Sequence, residues 1–122
     1  MTVADLLPML GLRLAQGRLE LRGITDEDLV ELGALAGRGI HPPGEMPFLM
    51  PWTEASAEDL ARNTAQFHWA GRASFAPTAW DLQLGVWLDG VLVGCQGFAT
   101  HDYLVTRTGE TGSWLGQEFQ GR

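Results

Sequence analysis

The stretch "LQLGVWLDGVLVGCQGF", Leu82–Phe98, limits the fold more tightly than any other part of the chain. Asp89-Gly90 stands between two apolar, alternating runs. An Asp-Gly pair in that setting predicts a two-residue type I′ hairpin, because both central positions need positive φ. Pairing about the turn sets Leu88 opposite Val91, Val86 opposite Val93 and Leu84 opposite Cys95, one continuous apolar face. Trp87 opposite Leu92 falls on the other face, so both sides of the hairpin are expected to be covered. A lone hairpin is not stable in water. The remaining segments must therefore supply its cover.

They read as follows. "RLELRGI", Arg18–Ile24, alternates like a strand. Thr25-Asp26-Glu27-Asp28 then starts a helix, with Thr25 as cap and three acids where the helix dipole favours negative charge. Leu29, Leu32, Leu35 and Ala36 follow at helical spacing, and Gly37 or Gly39 closes it. Ser56-Ala57-Glu58-Asp59 starts a second helix, predicted over Ala57–Ser74, with Leu60, Thr64, Phe67 and Gly71 on one face and Pro77 beyond its end. A last strand is predicted from about Thr108 to Leu115, with Glu110, Gly112 and Trp114 on one face and Thr111, Ser113 and Leu115 on the other. Between the helices, Gly39–Thr53 holds four of the six prolines and cannot be regular, yet it carries Met46, Phe48 and Trp52. Such a loop is either a lid over the core or one wall of a substrate cleft. The order of elements predicts an α+β or α/β domain.

Composition narrows the function. The net charge of −7, with eight basic residues in 122, leaves too little Lys and Arg to neutralise phosphates along a nucleic acid. A small anion on backbone amides remains compatible. The one cysteine, Cys95, lies in an apolar run and is expected to be a small buried hydrophobe. With no disulfide possible within the chain, a reducing, cytoplasmic setting is expected. No apolar run reaches the roughly 18 residues that a membrane span needs, and "MTVADLLPML" has no basic leader segment.

Few residues suggest chemistry by their spacing. His41, His68 and His101 lie far apart, so no metal site is expected, and His68 is expected on a helix surface or pocket rim. Gly112-Ser113-Trp114 lacks the full nucleophile elbow of a serine hydrolase. Glu110 in a strand with apolar neighbours would be desolvated and suited to general-base work. Alternatively it faces solvent on an edge strand, or pairs with Arg107 or Arg22. The glycines of "GQEFQGR" allow a turn that presents amides to an anion.

The order of these motifs resembles the GNAT-superfamily N-acetyltransferases, in the branch similar to the ribosomal-protein-alanine acetyltransferases. "LRLAQGRLELRGITDEDLVELGAL" resembles that branch's first strand and helix, and "GETGSWLGQEFQGR" its fourth strand and the entry to its acetyl-CoA loop. The E-x-G-x-W-L segment followed by Gln-Gly, after an Asp-Gly hairpin, carries the likeness. It implies a partial GNAT fold: a mixed, mostly antiparallel sheet with N-terminal helices, residues 1–122 forming the N-terminal part of one acetyltransferase domain that ends inside the acetyl-CoA loop. It implies acetyl transfer from acetyl-CoA to a primary amine, on a small molecule or a protein N-terminus. Glu110 would be the base, and Trp114, Leu115, Gln120, Gly121 and Arg122 would lie along the cofactor. Met46, Phe48, Trp52 and Phe67 would line the acceptor side, on the strength only of their large apolar groups. An open edge at Thr108–Leu115 would lead to a homodimer or to complementation by a second fragment. The competing expectation is a non-catalytic oligomeric binding module of the same fold.

Overall fold

The computed structural model describes residues 1–41, 52–102 and 106–120. The expectations for Met46, Phe48, Gly121 and Arg122 lie outside these residues. In chain order the elements are α1 (Val3–Leu6), a 3-10 turn (Pro8–Gly11), β1 (Arg13–Gln16), β2 (Leu19–Gly23), α2 (Asp26–Arg38), α3 (Ala57–Ser74), β3 (Ala79–Leu88), β4 (Val91–His101), β5 (Glu110–Leu115) and a closing 3-10 turn (Gln117–Phe119). All described strand pairs are antiparallel, and the sheet order is β1-β2-β3-β4-β5. Among the described residues, no helix is long and apolar enough to cross a membrane.

Both long helices begin at the expected caps. The Thr25 hydroxyl accepts from the Asp28 N–H and the Asp28 carboxylate accepts from the Thr25 N–H, while at α3 the Ser56 hydroxyl accepts from the Asp59 N–H. Gly39 ends α2 at φ 120°, a conformation that a side chain would strain. Leu29, Leu32 and Leu35 of α2 are fully buried, and α2 and α3 pack against each other and the sheet. Ile24, Leu29, Leu32, Trp87, Leu92 and Cys95 form one core cluster, with Trp114 packed on its margin.

Two sequence expectations change at this level. The 89–90 turn is as predicted, with Asp89 at φ 51° and Gly90 at φ 81°, but the pairing beyond it slips by one residue. Trp87 faces Leu92, whereas Val86 faces Gly94, so Val93 is the extra residue of a β-bulge. Cys95 therefore pairs with Gly85, not with Leu84, and joins the face that holds Trp87. The bulge also delivers Gly94 to a place that admits no side chain: a Cβ there would lie 2.1 Å from the Trp114 carbonyl oxygen. The second change is in α3. Its buried residues are Leu60, Thr64 and His68, an i, i+4, i+8 line, and Phe67 is 54% exposed. The buried line thus keeps Leu60 and Thr64 of the expected face and continues to His68 instead of to Phe67.

Candidate functional site

The cross-strand register decides which side chains share a face. Trp114 pairs with Cys95, Gly112 with Gly97, and Glu110 with Ala99, which in turn pairs with Asp81. Directly paired residues point to the same side of a sheet, so Trp114, Gly112 and Glu110 stand on the face that carries Cys95, Gln83 and Asp81. Neighbouring strands are about 4.8 Å apart, so Asp81 and Glu110, at two ends of one row, have Cα atoms about 10 Å apart. Gly112 stands open: a Cβ built on it would meet nothing within 4 Å. Above it, Trp114 meets Trp52 with ring centroids 5.8 Å apart, which brings an expected acceptor-side residue against an expected cofactor-side residue.

Glu110 opens β5 and is exposed, which matches the solvent-facing alternative. Arg22 is engaged elsewhere, over the Trp87 ring at 3.9 Å and beside Glu20 at 3.4 Å. Leu115 pairs with Gly94 on the opposite face from Trp114. β5 is the last strand of the sheet, so its outer backbone groups have no strand partner among the described residues. After β5 the chain turns back onto the end of α2. The Gln117 N–H donates to the Gly39 carbonyl, and the Gln120 side-chain amide donates to the carbonyls of Leu115 (2.9 Å) and Ile40. The N–H groups of Phe119 and Gln120 also donate within the turn. The groups expected to meet an anion are thus held by the chain itself up to Gln120.

A second group of polar residues, which spacing did not reveal, gathers at the other end of the same face. A small cleft, open to solvent, lies between α3, β3 and the N-terminal 3-10 turn. Its polar lining is His68, Arg72, Asp81 and Gln83, and Ile24 and Phe67 contribute apolar walls. His68 is 7% exposed, and burial, helped by the positive charge of Arg72, lowers its pKa to about 4. The ring is neutral at physiological pH. Gln83 donates to Asp81 at 2.6 Å and accepts from the Cys95 thiol at 3.1 Å. Burial, with the charge of Asp81 adding to it, pushes the Cys95 thiol up to about 12, so it is no nucleophile. Arg72 is bound to Asp26 and to the Ile24 carbonyl, each at 2.6 Å. His41 bonds Thr53 and His101 lies beside Asp102. Among the described residues, no three His, Cys, Asp or Glu side chains come together as a metal site would require.

No protein-family model matches the chain. Solved structures do resemble it. One, described as a probable acetyltransferase, aligns with TM-score 0.60 and 20% identity over 92% of this chain and 58% of its own. Another is RimL, a ribosomal L7/L12 alpha-N-protein acetyltransferase in complex with coenzyme A, at TM-score 0.63 and 15% identity over 91% of this chain and 59% of its own. The fold is therefore GNAT-like, and the chain spans somewhat under three-fifths of the length of these neighbours.

Proposed function

We propose that the chain serves acetyl transfer from acetyl-CoA to a primary amine, on a small molecule or a protein N-terminus. The observation that carries the proposal is the β5 row, in which an open Gly112 lies between the Trp114 indole and the Glu110 carboxylate on one face of an edge strand. The likeness to acetyltransferases, one of them complexed with coenzyme A, agrees with it. The residues present fit part of the cofactor: a strand edge can pair with an amide-bearing arm, and a position without a side chain admits a close approach. Bound acetyl-CoA supplies an activated acyl carbon. Glu110 takes a proton from the acceptor's ammonium, so that the free amine forms the new C–N bond while the C–S bond breaks and the thiol leaves.

Calorimetry with acetyl-CoA, paired with an assay of thiol release, tests the proposal. Glu110→Gln should keep cofactor binding and lower thiol release about 100-fold, the ordinary worth of a general base. Absence of binding heat for the wild-type chain would sink it. The second reading, a non-catalytic binding module, is favoured by the internal bonds of Gln117, Phe119 and Gln120, which occupy donors that a pyrophosphate would need. It requires no acetyl-CoA heat at all. Self-association through the β5 edge is part of both readings and predicts a concentration-dependent sedimentation coefficient. A reducing, cytoplasmic location suits the single buried thiol.

A further inference from the structure

The turn after β5 is docked on the C-terminal end of α2. Arg38, in the last turn of that helix, donates from Nε and Nη2 to the Glu118 carboxylate at 3.1 and 3.0 Å. The Gln117 N–H donates to the Gly39 carbonyl at 2.8 Å. The Gln120 side-chain amide joins the Ile40 carbonyl to that of Leu115, the last residue of β5. Two glycines permit the approach. A Cβ on Gly116 would lie 2.4 Å from Leu35 Cδ1, and one on Gly39 would lie 3.3 Å from Gln117 Oε1. On the sheet side, the Gly116 N–H donates to the carbonyl of Val93, the bulge residue, at 2.8 Å. The exit of β5 is therefore fixed from two sides, by β4 and by α2.

The Arg38–Glu118 pair adds little to folding stability, since its side chains are 57% and 51% exposed. What it controls is the direction in which the chain leaves β5. We propose that Arg38 is a positioning residue for acetyl-CoA: through Glu118 it sets the turn, and the turn sets the end of the β5 edge that carries Gly112 and Trp114. The proposal rests on the reading that acetyl-CoA lies along this edge. Gln120 belongs to the same brace: its side-chain amide is committed to two carbonyls, so it holds the turn and not the cofactor. Simple electrostatics gives Glu118 the opposite sign. In a chain of net charge −7, a carboxylate near an anionic ligand weakens binding, and its removal should help. If Glu118 braces the turn, its removal harms.

Calorimetry with acetyl-CoA on the full chain reads that sign. Glu118→Arg sets two cations against each other and opens the brace. Acetyl-CoA should then bind about threefold weaker, the worth of one exposed pair, even though the variant is the more positive protein. Adding Arg38→Glu restores the pair in reverse and should return the wild-type affinity. Hydrogen exchange is the second readout: the Gln117 amide should exchange about threefold faster in Glu118→Arg and regain its protection in the double variant. Equal or tighter binding by Glu118→Arg, or no rescue in the double variant, overturns the proposal and leaves acetyl-CoA binding standing. If the wild-type chain gives no heat, the acetyl-CoA reading falls. A faster Gln117 amide in Glu118→Arg then still upholds the brace, and an unchanged one overturns it.

Discussion

At His68 a titratable ring is held where water reaches it poorly, and the pH dependence of stability follows. An unfolded chain protonates this histidine near 6.5, the folded chain only near 4. Between those values the unfolded state binds the extra proton, so stability is full above 6.5 and falls as the solution is acidified toward 4. The loss over this window is about 3 kcal/mol. His68→Gln should remove most of it, read as urea midpoints at the two ends of the window; an equal acid loss in the variant would refute the assignment. Asp26 does not confuse the measurement. The Trp69 indole N–H, and then Arg72, hold its carboxyl below the ordinary 3.8, so its contribution is lost only at still lower pH. Spacing along α3 could not settle that His68 is inward, because Leu60 and Thr64 fit either neighbouring face. A clue did exist in β3: Asp81 and Gln83 fall on the same alternation as Trp87, so polar groups point inward at one end of a buried strand. The convergence of α3 on them is a tertiary fact that no local spacing encodes.

The elements divide by how locally they are determined. α2 and α3 were legible to within a residue or so because caps and periodic leucines are written in adjacent positions. The 89–90 turn was legible for the same reason. β1 was not, since all four of its residues are exposed and no alternation marks it. The bulge was not, because it depends on how closely β5 approaches Gly94, a contact 20 residues away in sequence from its Trp114 partner atom. Two glycines in this sheet make opposite predictions. Gly94→Ala would push a Cβ against the Trp114 carbonyl and the Leu115 side chain, and should cost about 1–3 kcal/mol in a urea titration. Gly112→Ala meets open space, so stability should hardly change, whereas acetyl-CoA affinity should fall by calorimetry because the methyl fills the gap beside Trp114. If Gly112→Ala binds acetyl-CoA as the wild type does, the cofactor does not approach that strand as proposed.

For the whole molecule the helices lie on one face of a sheet whose strands run in chain order, with α2 and α3 forming a single excursion between β2 and β3. The candidate site depends on both parts: β5 supplies Glu110, Gly112 and Trp114, and the excursion supplies His68 and the neighbourhood of Trp52. The GNAT-like character was legible from the order of motifs. The cleft was not, since it exists only once the excursion has closed over β3.

The clamp between the two hairpin turns has a consequence in time. Arg18 holds Asp89 through both carboxylate oxygens at 2.6–3.0 Å, and the Asp89 N–H donates to the Arg18 carbonyl. Being exposed, the ion pair adds little to equilibrium stability. Its partners differ in when they become available. The β3–β4 hairpin closes over two residues and can form within microseconds, whereas β2 must return across the whole helical excursion. Asp89 is therefore waiting in place when Arg18 arrives, and the clamp records the last large closure of the chain. Gly90→Ala, strained at φ 81° by about 1–2 kcal/mol, should slow folding by nearly its full effect, while Arg18→Ala should act mainly by hastening unfolding. A stopped-flow chevron that reverses this assignment would show that the molecule closes in the opposite order.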